Sequence, residues 1–181
     1  MSVDIIFSAE EVSARVEALG FEIAEAIPER LLAVPIMTGA FIFAADLLRA
    51  LYHAGVEPEV DFLQVASYGE GTTSSGHVEF LREVQADVTG RDVLLIDDIF
   101  DTGNTLWELL PQIDELGPTS VRTAVLLRKE GRCEVPIKPH HVAFEIPNVF
   151  VVGYGLDYQD MYRNLPYVAE MEPADLAEPG R

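Results

Sequence analysis

The sequence predicts an α/β protein built on a parallel sheet covered on both faces, and two observations predict it. Apolar runs at residues 31–37 (LLAVPIM), 93–96 (VLLI) and 149–152 (VFVV) are continuous rather than alternating, as strands buried on both faces require. Segments with helical spacing separate the runs, which is the pattern of crossover connections between parallel strands.

The elements follow in order. Ser8 is placed to cap a helix in which Glu10 and Glu11 suit the positive first turn and Val12, Val16 and Leu19 keep helical spacing. Residues 31–37 form a buried strand in which Pro35 interrupts one hydrogen bond. After Thr38-Gly39, residues 40–55 (AFIFAADLLRALYHAG) form an apolar-periodic helix stopped by Gly55. Residues 60–67 make the next strand. Residues 68–76 (YGEGTTSSG) hold three glycines among small hydroxyl residues, which cannot build a core and give a mobile loop. Strands at 78–81 and 93–96 follow. Leu106, Leu109, Leu110, Ile113 and Leu116 mark a helix that Pro111 kinks or shortens and Gly117-Pro118 ends. Residues 121–127 and 149–152 are further strands, no internal repeat is present, and residues 172–181 form an acidic, proline-bearing tail that frays.

The chain of 181 residues is long enough for one domain with a full core, read as residues 1–181. Twelve basic against 31 acidic side chains give a net charge of −19, which argues against a nucleic-acid or anionic-membrane surface. A small anionic substrate stays open, because backbone amides and a bound cation can hold it locally. Cys133 is the single cysteine, so neither a disulfide framework nor a cysteine zinc site is available. The start MSVDIIFSAEE lacks the features of a signal peptide, and no apolar run nears the roughly 18–20 residues of a membrane span. A cytoplasmic protein is expected.

The chemistry concentrates in residues 93–106, VLLIDDIFDTGNTL, where an apolar strand runs into Asp97, Asp98 and Asp101. Carboxylates crowded together raise one another's pKa or call for a cation. Ligands in open parallel sheets sit beyond the carboxyl ends of the strands, and this segment lies between a strand and a helix. Asp101, Thr102, Gly103, Asn104 and Thr105 would then form a phosphate cradle at a helix N-terminus, with Gly103 letting the backbone come close. Asp97 and Asp98 are left to accept hydroxyls or to hold a hard cation such as magnesium. FDTG also matches aspartic proteases, but one copy preceding a helix does not build their site. Dehalogenase-type phosphatases need aspartates two apart, whereas Asp98 and Asp101 are three apart. Carboxylates that merely cap a helix in a flavodoxin-like domain remain an alternative from this segment alone.

VLLIDDIFDTGNTL resembles the phosphoribosyl diphosphate (PRPP) binding motif of type I phosphoribosyltransferases. ASYGEGTTSSG is similar to the flexible loop of the hypoxanthine-guanine phosphoribosyltransferases, and VAFEIPNVFVVGYGLDYQDMYRNLPYV to their purine-binding end. The resemblance spans about residues 8–168. It implies a central sheet of about five parallel strands flanked by helices, with a small hood from the chain ends. It also implies a magnesium-dependent reaction in which hypoxanthine, and guanine too, takes the phosphoribosyl group of PRPP to give IMP or GMP and diphosphate. By the same resemblance, Asp97 and Asp98 hold the ribose hydroxyls and magnesium, Asp101 is the proton acceptor facing the purine N7, and residues 101–105 bind the 5′-phosphate. Lys129 contacts the purine 6-oxo group, Phe150 stacks on the base, and Val151 offers backbone contacts. Asp157 lies near the purine 2-position and a second magnesium. Thr38, Gly39, Ser67, Tyr68 and Arg163 serve the diphosphate, with the loop opened by Ser67 and Tyr68 closing over the site. A homodimer or homotetramer is expected by similarity.

Without that resemblance, Lys129 reads as a solvated turn lysine, VFVV as plain core, and Asp157 and Arg163 as surface. His53, His77, His140 and His141 show no metal spacing, the last two reading as surface, and Cys133 as a bystander. Two positions depart from the family pattern. Thr38 stands where Lys or Arg is common, so PRPP binding is expected to survive with one charge fewer, through a backbone turn that can include a cis peptide. Asp97 stands where glutamate is frequent. The rival from another class is a PRPP- or nucleotide-sensing regulator on the same fold, without turnover.

Overall fold

The computed structural model describes residues 3–27, 30–65 and 80–172. In chain order the elements are β1 (Val3–Phe7), α1 (Ala9–Ala26), β2 (Leu31–Met37), α2 (Phe41–His53), β3 (Glu59–Val60), β4 (Leu63–Val65), β5 (Phe80–Arg82), β6 (Asp92–Phe100), α3 (Asn104–Asp114), β7 (Ser120–Lys129), β8 (His141–Ile146), β9 (Val151–Val152) and β10 (Val168–Met171). The main sheet runs β5-β4-β2-β6-β7-β8, with β3 also beside β2. Every pairing in it is parallel except β4–β5. With β3 and β4 sharing one edge of β2, five parallel positions result, as expected. A second, antiparallel sheet joins both ends of the described chain in the order β1-β10-β9, which is the hood.

Successive residues of the central strands serve opposite faces, so both faces must be apolar. Leu31, Ala33, Leu94 and Ile96 enter one core with Val16, Leu19, Phe43 and Leu47 of α1 and α2. Leu32, Val34, Val93 and Leu95 enter the other with Leu106, Leu109 and Ile113 of α3. Ser8 caps α1 as expected, and more completely: its hydroxyl accepts from Glu11 N–H while the Glu11 carboxylate accepts from Ser8 N–H, a capping box.

Three strand readings of the sequence need correction. The strand expected at 60–67 is split, because Asp61 turns its carboxylate inward to accept from the N–H groups of Phe62, Gln85 and Ala86 and from the Arg82 guanidinium. The break falls opposite Val34 and Pro35, between the β3 partners Leu32 and Ala33 and the β4 partners Ile36 and Met37. The missing Pro35 N–H is therefore accommodated where no ladder bond is required. The motif strand does not stop at residue 96 but continues to Phe100, carrying Asp97 and Asp98 within it, because β7 keeps pairing with it as far as Arg128. The strand expected at 149–152 shrinks to Val151–Val152.

The strand expected at 78–81 is observed as Phe80–Arg82, its first two residues lying outside the described ones. The expected loop at 68–76, with Ser67 and Tyr68, and residues 173–181 of the expected tail also lie outside them. β1, β8 and β10 carried no sequence expectation. His141, read as surface, is half-buried at the start of β8. Pro111 lies within α3, which ends at Asp114, short of Leu116.

Candidate active site

A cleft of about 760 Å³ opens at the carboxyl ends of β2 and β6, where the parallel-sheet rule locates ligands. Thr38 and Gly39 after β2, Asp97 and Asp98 on β6, residues 101–105, and Asp157 and Arg163 from beyond β9 all line it. Three backbones crowd together to make it. The peptide between Met37 and Thr38 is cis. A β-carbon on Gly39 would lie 1.8 Å from Asp98 Oδ2, and one on Gly155 would lie 2.3 Å from the Gly39 carbonyl oxygen. Glycine at both positions lets the 155–163 loop and the 38–39 turn close on the β6 carboxylates.

Asp97 is buried beside the half-buried Asp98. Burial pushes both carboxyls up, and the neighbouring Asp98 charge raises Asp97 further. Local backbone N–H groups partly offset this: Asp98 N–H donates to Asp97 Oδ1 at 3.0 Å and Ile99 N–H to Asp98 Oδ1 at 2.7 Å. Arg163 favours ionised Asp98 from across the cleft. A crowded, desolvated carboxylate pair of this kind suits a divalent cation or a sugar diol. Among the described residues no group of three His, Cys, Asp or Glu side chains gathers to hold a metal, so Asp157 does not join Asp97 and Asp98 in one ligand set. Two carboxylates with the remaining ligands brought by substrate phosphates fit magnesium, which rarely uses an all-protein cage.

The segment expected to cradle a phosphate folds as the β6–α3 junction. Gly103 is the α3 N-cap, with φ +87°, a left-handed conformation that favours glycine. A β-carbon there would also collide with Val135 and Phe100, at 2.6 and 2.7 Å. The first helical bond is Trp107 N–H to the Gly103 carbonyl, so the N–H groups of Thr105 and Leu106 have no intrahelical acceptor. Thr102 is half-buried, and Asn104 and Thr105 are exposed at the mouth. This end of the cleft is a ready anion site.

Asp101 stands between the cradle and β7. Its Oδ2 accepts from Lys129 Nζ and its Oδ1 from Arg132 Nε, each at 2.9 Å. Partial burial opposes ionisation, but these two cations outweigh it and hold the carboxyl below its usual range. Lys129 is thus a mostly buried ion-pair partner of Asp101 rather than a solvated turn lysine.

The base end is less closely gathered. Phe150 is 39% exposed and meets the Tyr158 ring edge-on at 5.8 Å, while Val151 is buried in β9. Neither these two nor Lys129 line the cleft itself. Arg163 donates to the Gly155 carbonyl at 2.8 Å and pairs with Asp157 at 2.8 Å, and the Asp157 carboxylate accepts from Asp160 N–H. Thr38 is exposed at the rim. Sequence reasoning missed Arg132, which bonds Asp101, and Asp160, which lines the cleft. The first had one signal: in RKEGR, Gly131 offers a turn that can bring a residue three beyond Lys129 back to the same side.

Comparison with known proteins identifies relatives over most of the chain. Residues 2–159 match the family model of the phosphoribosyl transferase domain. The hypoxanthine-guanine phosphoribosyltransferase of Dictyostelium discoideum is 40% identical over 176 residues, covering 95% of this chain and 97% of that protein. The Bacillus subtilis protein of the same name is 40% identical over 171 residues, covering 94% and 93%. Among solved structures, a Trypanosoma cruzi hypoxanthine phosphoribosyl transferase superposes with a TM-score of 0.91 at 37% identity, covering 96% of this chain and 93% of that one.

Proposed function

The chain belongs to the phosphoribosyl transferase family, and on that premise we infer that it is a purine-salvage enzyme of the hypoxanthine-guanine type. It transfers the 5-phosphoribosyl group from PRPP to hypoxanthine, and also to guanine, giving IMP or GMP and diphosphate. The observation that carries this reading is the junction of β6 and α3. There, a carboxylate pair, an anion-binding helix start and a cation-bridged Asp101 share one cleft.

The roles follow from the chemistry each group can do. Residues 101–105 take the 5′-phosphate through backbone N–H groups and hydroxyls. Asp97 and Asp98 accept the ribose hydroxyls and favour positive charge developing at the sugar carbon. As a purine ring nitrogen bonds to that carbon, the bond to diphosphate breaks and the N7 proton passes to Asp101. Lys129 meets the 6-oxo group, Phe150 stacks on the base, and Val151 and Asp157 line its far edge. Arg163, with the Thr38–Gly39 turn and Ser67 and Tyr68, receives the diphosphate. Magnesium, held at Asp97 and Asp98 and at Asp157 together with substrate oxygens, would neutralise charge on the departing diphosphate. Residues 1–181 are read as one domain of a cytoplasmic homodimer or homotetramer. No described helix is long and apolar enough to cross a membrane.

Purified protein mixed with PRPP, magnesium and each purine base, followed by absorbance, tests the reading. Turnover with hypoxanthine or guanine, lost at least roughly tenfold in Asp101→Asn, is the expected result. PRPP binding without turnover on any base would instead identify a sensor. Binding of RNA or DNA in a gel shift at moderate salt would also favour the sensor, since a chain of net charge −19 should show none.

A further inference from the structure

We propose that Arg132 is a positioning residue for phosphoribosyl transfer: it holds Asp101 by one carboxylate oxygen while Lys129 releases the other to the incoming purine. The proposal rests on the purine-transferase reading.

The two oxygens of Asp101 are divided between two cations, Oδ1 to Arg132 Nε and Oδ2 to Lys129 Nζ. The cations differ in what else is asked of them. In the transferase reading the Lys129 ammonium must reach the purine 6-oxo group, and a flexible stem with a compact charge can make that move. Arg132 has no such second task, and its planar Nε–H fork holds one geometry. Its backbone is anchored on both sides. Glu130 N–H donates to the Ile146 carbonyl and Glu134 N–H to the Thr102 carbonyl, each at 2.9 Å. The second bond ties the Arg132 turn directly to the phosphate cradle, so Arg132 and the groups it serves share one frame.

Lys129 and Arg132 are the cations on the Asp101 carboxylate, and the Glu134 charge further favours the Arg132 cation. If Lys129 were the only holder, its departure to the base would free Asp101 to swing as the N7 proton approached. A misplacement of about 1 Å at a reacting group costs on the order of a hundredfold in rate. Arg132 retains Oδ1, leaves Oδ2 as the acceptor, and keeps the carboxyl ionised through the exchange.

The test compares Arg132→Gln, Asp101→Asn and the double variant in steady-state assays with hypoxanthine and PRPP. Arg132→Gln is expected to lower kcat roughly tenfold, with the KM for PRPP unchanged within about twofold and the melting temperature preserved. In the Asp101→Asn background the same change should cost nothing further, because the group it positions has lost its role. If Arg132→Gln folds poorly, Arg132→Lys, which keeps the charge and loses the planar donor, is measured for the same split. A kcat unchanged by the substitution, or an equal loss on top of Asp101→Asn, overturns the proposal alone. No turnover by the unmodified protein on either base overturns the transferase reading and this inference with it.

Discussion

Gly39 lies so close to Asp98 that a β-carbon at position 39 would stand 1.8 Å from the carboxylate oxygen Oδ2. Nothing larger than hydrogen fits unless Asp98 moves, and the Gly155 backbone closes the other side against the Gly39 carbonyl. Gly39→Ala is therefore expected to fold, since the turn lies at the mouth of the cleft, and to lose kcat/KM for PRPP by about a hundredfold through displacement of Asp98. Steady-state kinetics beside a melting curve check this. Activity within threefold of the unmodified protein would show that Asp98 relocates without consequence.

Thr38 occupies the exposed rim of the same turn, where the family commonly carries a cation. Thr38→Lys should lower the KM for PRPP several-fold, and the gain should shrink as salt is raised, because an exposed charge is screened. An unchanged or higher KM would mean that binding at this turn is wholly a backbone matter.

Asp61 ties the β3–β4 break to the chain after β5, and its pKa falls to about 2. Burial opposes ionisation there, but the N–H groups of Ala86, Phe62 and Gln85 and the Arg82 guanidinium outweigh it. A carboxylate depressed on folding stabilises the fold above its unfolded pKa, and that stability is lost as pH falls through the folded value. The contribution, about 2 kcal/mol at neutral pH, should drain away between roughly pH 4 and pH 2. Urea unfolding of Asp61→Asn should accordingly show a deficit at pH 7 that closes toward pH 2. A pH-independent deficit would assign the effect to packing.

Gly20 sits on the buried face of α1, where a β-carbon would meet Ala50 Cβ at 2.6 Å and its carbonyl carbon at 2.9 Å. Alanine normally gains about 1 kcal/mol over glycine inside a helix. Here overpacking, typically 1–3 kcal/mol, opposes that gain against backbone atoms that cannot swing aside. Gly20→Ala should lower the melting temperature by a few degrees. A rise would mean that α1 and α2 separate freely.

The sequence by itself determined the layered parallel architecture and pointed to the location of the candidate site. Continuous apolar strands must be covered on both faces, and a strand that runs into aspartates and a glycine before a helix leaves acids and free N–H groups at one place. Those are local consequences of side-chain type and spacing along one segment. The resemblance of the chain to a known family supplied the likeness at its carboxyl-terminal end, where Asp157 and Arg163 carry no local signal. Tertiary structure decided what depends on neighbours distant in sequence. Asp61 broke a strand because Arg82, Gln85 and Ala86 brought donors to its carboxylate. The motif strand outran its apolar stretch because β7 kept pairing with it. Arg132 meets Asp101 only because the turn after β7 is tied to the Thr102 carbonyl and aims its guanidinium at that carboxylate. Periodicity reports which side of an element is buried; which atoms meet across elements is settled by packing.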